Sequence, residues 1–150
     1  MMSAVENKQI VQSIFDELAQ GNSRPLVESM ADDFCWTVTG NNRWSGKYEG
    51  KQKVLEGLLA QLRARIDGRI KTIGHRFIAE GDYVVVEARG NNITKTGKPY
   101  NNAYCFVIRL HDGKLKEITE YMDTELVTAT LGDTAALTTN SAHSTRPSSD

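Results

Sequence analysis

The stretch from Tyr83 to Asp123 constrains this chain most, because it reads as three consecutive strands separated by two turn signals. Strand-like segments run from Tyr83 to about Thr94, from Tyr100 to Leu110 and from Leu115 to Asp123. Thr96-Gly97-Lys98-Pro99 breaks the first junction. Asp112-Gly113, a strong hairpin signal, breaks the second. Along one face of these strands polar and charged side chains sit among apolar ones. Burying an unpaired charge is expensive, so an inward-pointing charge on a sheet needs a reason. A ligand pocket would supply one.

The rest of the chain supplies helices and a first strand. Ile10, Val11, Ile14, Phe15 and Leu18 recur at helical spacing over 5–20, and Gly21 follows as a stop. Ser23 and Pro25 can open a short helix carrying Leu26, Val27 and Met30. Phe34, Trp36 and Val38 alternate with Cys35, Thr37 and Thr39, which predicts a strand. Gly40 to Gly50, with three glycines and two asparagines, predicts a loop, although it holds the large residues Trp44 and Tyr48. Val54, Leu55, Leu58, Leu59, Leu62 and Ile66 mark a third helix over 51–66. Arg69 to Ala79 reads as a long strand, and Glu80-Gly81-Asp82 as the turn into the three-strand block. Residues 133–150 are rich in Thr, Ser and Ala with no periodic apolar face and predict a mobile polar tail, which leaves 1–132 as the folded domain. The order implies an α+β fold with helices on one face of a curved, mainly antiparallel sheet.

At 150 residues the chain predicts one domain with a real core. With 18 basic and 19 acidic residues the net charge is -1, so no strong field favours nucleic acid or an acidic membrane surface. No apolar run approaches the ~20 residues of a membrane span. Glu6, Asn7 and Lys8 interrupt any secretory core, and Cys35 and Cys105 fit neither a metal spacing nor a disulfide framework. A cytoplasmic setting without metal or cofactor is the expectation.

The strand period of two sorts faces. Asn102, Tyr104, Phe106 and Ile108 share one face of the middle strand, and the apolar area of Tyr104 and Phe106 places that face inside. On the last strand Ile118, Glu120 and Met122 oppose Glu117, Thr119, Tyr121 and Asp123. On the strand from Tyr83, Glu87 and Arg89 share a face with Tyr83 and Val85. Val84, Val86, Ala88, Ala103, Cys105 and Val107 then form an apolar outer face, which predicts a homodimer.

The run Trp36-x-Val38-x-Gly40 resembles the SnoaL-like group of the ketosteroid-isomerase-like superfamily, which shares the nuclear-transport-factor-2-like fold. So do Gly46-x-Tyr48-x-Gly50-Lys51 opening a helix, Thr96-Gly97-x-x-Tyr100, and Asp112-Gly113-Lys114 followed by Glu120-Tyr121-x-Asp123. The resemblance spans roughly residues 5–126. It implies a conical α+β fold, three helices closing over a curved mixed sheet around a cavity for a small, mostly apolar molecule. Steroid isomerases of this fold use a tyrosine and an aspartate where this chain has Ile14 and Val38, and a further acid near Cys105 or Phe106. That mechanism is therefore not expected. Epoxide hydrolases of this fold use an Arg-acid pair and an Asp, whose positions match Glu87, Arg89 and Glu120 with the order of the pair reversed. The resemblance implies a buried charged cluster at these positions, without that activity.

The candidate catalytic residues are Glu120 for proton transfer, Arg89 as its partner, and Glu87. A structural ion pair at the sheet rim is the alternative. Tyr104 and Asn102 are candidate anchors for a ligand carbonyl or hydroxyl, and Phe106, Trp36, Trp44, Tyr48 and Met122 are candidate lining. Trp44 is the better lid candidate of the two tryptophans, while Trp36 and Met122 also read as plain core. Asp123 either faces the cavity mouth or pins the chain end. His75 reads as structural. Three functions remain open: acid–base catalysis without cofactor on a small apolar substrate (isomerisation, cyclisation, dehydration or epoxide opening), a non-catalytic binding protein for a hydrophobic metabolite, or a dimeric interaction module.

Overall fold

A computed structural model describes residues 2–132. The tail expected over 133–150 lies outside the described residues. Helix α1, Ala4–Leu18, opens with a capping box: the Ser3 hydroxyl accepts from the Glu6 N–H, and the Ser3 N–H donates to the Glu6 carboxylate. Its buried stripe is Val11, Ile14, Phe15 and Leu18, the spacing read from the sequence. Helix α2, Arg24–Ser29, has Pro25 in its first turn, where a missing N–H costs nothing. It runs directly into strand β1, Met30–Val38.

The segment expected to be all loop contains an edge strand, β2, Gly46–Glu49. Its residues are mostly exposed and lack apolar alternation, so the sequence carried no strand period there. A third helix follows through Lys51–Lys53, Val54–Leu59 and Ala60–Arg63, with π geometry in the middle segment. It ends before Ile66, which instead bridges to Thr94.

The remaining strands are β3 (Thr72–Glu80), β4 (Tyr83–Gly90), the short β5 (Asn92–Ile93) and β6 (Pro99–Tyr100), β7 (Ala103–His111) and β8 (Lys114–Met122). The main sheet has the order β2-β1-β8-β7-β4-β3. Only β1 and β8 pair in parallel; the other neighbours are antiparallel. The β7–β8 turn is the anticipated one: Asp112 and Gly113 both take positive φ, at 48° and 79°. A C-terminal helix, Thr124–Leu131, absent from the sequence reading, follows β8 and adds Val127 and Leu131 to the core. Gly40 makes this possible, since a Cβ there would sit 2.7 Å from the Thr124 methyl.

The core lies between the helices and the inner sheet face. Phe106 meets Phe15 at 5.8 Å and Trp36 at 6.3 Å between ring centroids. Truncating such a buried aromatic costs about 3–5 kcal/mol. The β4–β7 register pairs Val84 with Ile108, Val86 with Phe106 and Ala88 with Tyr104, so the even residues of β4 point inward. Val84, Val86 and Ala88 are therefore core and not outer face, which corrects the expected dimer surface. The outer face carries Val85, Glu87 and Arg89 beside Ala103, Cys105 and Val107.

Candidate functional site

Beneath the helices a cavity of about 920 Å³ opens against the inner sheet face. Trp36, Tyr104, Phe106, Ile118, Glu120 and Met122 form its floor. Phe15 and Leu18 of α1, Leu58 and Leu62 of the third helix, and Val127 and Leu131 of the C-terminal helix form its walls. Its inner lining is mostly apolar, and Glu120 places a carboxyl group on that floor.

The geometry of Glu120 follows from the β8 alternation. Its register partners are Phe106 on β7 and Val38 on β1, so it points with them into the cavity. Its Oε1 accepts a 2.9 Å hydrogen bond from the Trp36 indole Nε1–H. No cation pairs with it among the described residues. Burial pushes its carboxyl up to about 7, and the Trp36 bond only partly opposes the rise. Both protonation states are thus populated near neutral pH.

Arg89 and Glu87 do not join it. Inward parity falls on the even residues of β4, so these two odd residues project from the outer face. Glu87 pairs with Arg76 at 3.2 Å, and Arg89 is exposed. The expected partnership of Arg89 with Glu120 is corrected by this parity. The simplest signal, the apolar alternation Val84, Val86, Ala88, already pointed that way.

Three phenols sense the carboxylate electrostatically: Tyr100 and Tyr104 line the cavity with it, whereas Tyr48, expected as lining, does not. Tyr104 stacks on Phe106 at 5.0 Å between centroids. Burial holds Tyr104 well above the ordinary phenol range, with Tyr100 and Glu120 adding to the effect. Tyr100 and Tyr48 are also raised, first by burial, with Glu120 contributing. Tyr100 borders the cavity and was not among the expected site residues, although it ends the Thr96-Gly97-x-x-Tyr100 pattern. Its hydroxyl oxygen accepts from Asn102 Nδ2 at 3.2 Å, and the Tyr104 hydroxyl is close enough to couple to it electrostatically.

Asn102 is fully buried and spends its amide on structure. It donates to Tyr100 and to the Asp123 carbonyl at 3.1 Å, and accepts from the Asp123 N–H at 3.0 Å. Asp123 caps the C-terminal helix, accepting from the Glu125 and Leu126 N–H groups at 3.0 and 3.1 Å. Trp44 is buried, not a free lid. Its Nε1–H donates to the Gly132 carbonyl at 3.0 Å, and the Arg65 guanidinium lies 5.1 Å over its ring. Tyr48 supports it, donating to the Trp44 carbonyl at 2.7 Å. His75 is exposed on β3. Among the described residues no group of three or more His, Cys, Asp or Glu side chains converges as a metal site would, and no helix is long and apolar enough to cross a membrane.

Comparison with known proteins gives a consistent picture. The family model of the SnoaL-like domain matches residues 11–118. Among curated proteins none matches the chain significantly. Solved structures do. An NTF2-like protein from Burkholderia xenovorans is 26% identical, with a TM-score of 0.68 over 86% of this chain and 98% of that one. A protein from Jannaschia named as a SnoaL-like polyketide cyclase is 19% identical, TM-score 0.69, over 88% and 96%. A protein of ketosteroid-isomerase-like fold from Catenulispora acidiphila, solved with trimethylamine, is 18% identical, TM-score 0.67, over 83% and 93%.

Proposed function

The chain belongs to the SnoaL-like domain family, and from that premise we propose that it is a cofactor-independent acid–base enzyme acting on a small, largely apolar carbonyl compound. The observation that carries this reading is the lone Glu120 carboxyl, unpaired by any described cation and pushed up to about 7 by an apolar cavity. In its ionised form Glu120 takes a proton from carbon next to the ligand carbonyl, and the electron pair moves onto that oxygen. The Tyr100 oxygen already accepts from Asn102, and its hydroxyl hydrogen turns to donate to the developing oxyanion. Glu120 then returns the proton, to another carbon in an isomerisation or to a newly formed alkoxide in a cyclisation. The name polyketide cyclase on one structural neighbour fits the second outcome, while that likeness itself speaks only for the fold.

Exchange of solvent deuterium into an enolisable probe such as a cyclic 1,3-diketone tests the reading. Native protein should accelerate exchange and Glu120→Gln should not. Binding of the probe with no exchange above buffer would leave a non-catalytic binding protein as the function.

The outer sheet face supports association of two copies. Ile78, Tyr121 and Ile73 are 54%, 50% and 40% exposed there, and Val85, Cys105 and Val107 lie between them. Its flanking charges, Arg76 with Glu87 and Arg109 with Glu117, are balanced in sign, as a self-complementary interface requires. Sedimentation velocity at micromolar concentration tests this, and a monomer would contradict it.

A further inference from the structure

The rim of the cavity is unlike its interior. Arg63, Arg69 and Lys95 border it, all exposed. Arg24 and Glu28 also border it, but they pair with each other at 2.9 Å. Among the described residues Arg63, Arg69 and Lys95 form no ion pair. The three belong to one piece of the structure. Arg63 closes the third helix, Arg69 follows Gly68, and Lys95 sits in a turn whose backbone N–H donates to the Arg65 carbonyl at 2.9 Å. Arg69 is also positioned: its stem lies against Gly21, where φ is +85° and an added Cβ would come within 2.7 Å of the Arg69 Cβ. Three cations without an ion pair among the described residues, on the rim of one mostly apolar cavity, offer a landing site for an anion.

Resting on the proposed reading of the cavity, we propose that the substrate is an amphipathic monocarboxylate whose carboxylate docks on Arg63, Arg69 and Lys95 while its apolar body, carrying the reacting carbon, reaches down toward Glu120. The opposite orientation would set a carboxylate beside Glu120 in an apolar space, which like-charge repulsion disfavours. The collar would also raise the local concentration of anionic ligands at low salt, and added salt would screen that attraction.

The test uses a matched pair, 1-naphthylacetate and 1-naphthylacetamide, titrated calorimetrically into the full chain at low salt. The acid should bind about tenfold more tightly than the amide, a preference of the size charge-assisted contacts supply. In an Arg63→Gln, Arg69→Gln double variant the preference should fall to about twofold or less, with the amide's affinity unchanged. Both side chains are exposed, so the variant should fold, and its circular dichroism spectrum confirms that first. Equal binding of acid and amide to native protein would overturn the collar while leaving the pocket reading standing. An undiminished preference in the double variant would also overturn it. If neither probe binds, both the collar and the pocket reading fall.

Discussion

Replacing Glu120 with Gln removes a charge and little else. The amide keeps the side-chain length and a carbonyl oxygen that can still accept the Trp36 Nε1–H bond seen at 2.9 Å. In the folded protein burial raises the Glu120 carboxyl from 4.5 to about 7. A carboxyl raised by folding holds its proton more tightly in the native state, so ionising it opposes folding. The penalty is absent below the unfolded value near ~4.3, grows as pH rises toward the native value, and is constant above it. A span of roughly 2.5 pH units corresponds to about 3 kcal/mol as an upper bound. Water entering the cavity lowers this to about 1–3 kcal/mol. Urea denaturation of both proteins at pH 4 and pH 8 reads the effect. The variant should match native protein at pH 4 and be more stable by that amount at pH 8, with an unchanged m-value. A variant equally or less stable at pH 8 would mean that Glu120, half-buried in the cavity, is not left without a charge partner.

Other perturbations have defined outcomes. Trp36→Phe removes the one donor that favours the ionised Glu120, so the pH above which native protein stops losing stability relative to Glu120→Gln should move upward from about 7. Asp123→Ala removes both cap bonds of the C-terminal helix and should cost about 1 kcal/mol in denaturant melts, while weakening ligand binding because Val127 and Leu131 form a cavity wall. Val85→Lys with Val107→Lys puts like charges on neighbouring strands of the outer face and should yield monomers in light scattering without loss of the helical signal.

Particular residues show how much of this was legible in the sequence. The Asp112-Gly113 turn and the alternation Ile118, Glu120, Met122 were enough to place one acid on the inner face beside Phe106. The alternation on β4 was equally plain. Its even residues were instead expected on a partner-facing surface, and that reversal carried Glu87 and Arg89 toward the cavity. Parity within a strand is local, but which parity faces inward is decided by register with the neighbours. The C-terminal helix hid in Thr124–Leu131, a short run with three threonines and a valine next to a polar tail. Its signal was Asp123 with Glu125 two residues on, a cap and an acidic first turn. The cationic rim could not be read at all, since Lys95 lies 26 or more residues from Arg63 and Arg69 and is brought to their segment by long-range backbone contacts, the Ile66–Thr94 bridge and the bond to the Arg65 carbonyl among them.

Proton transfer in this cavity depends on the state of one carboxyl group, that of Glu120. A carbon-detected NMR titration of the glutamate side chains, with Glu120→Gln identifying the missing resonance, measures it in solution. The prediction is a single glutamate titrating near about 7, absent from the variant. A Glu120 that titrates near the ordinary ~4.3 would mean a solvated carboxylate, and the proposed proton-transfer role would be contradicted.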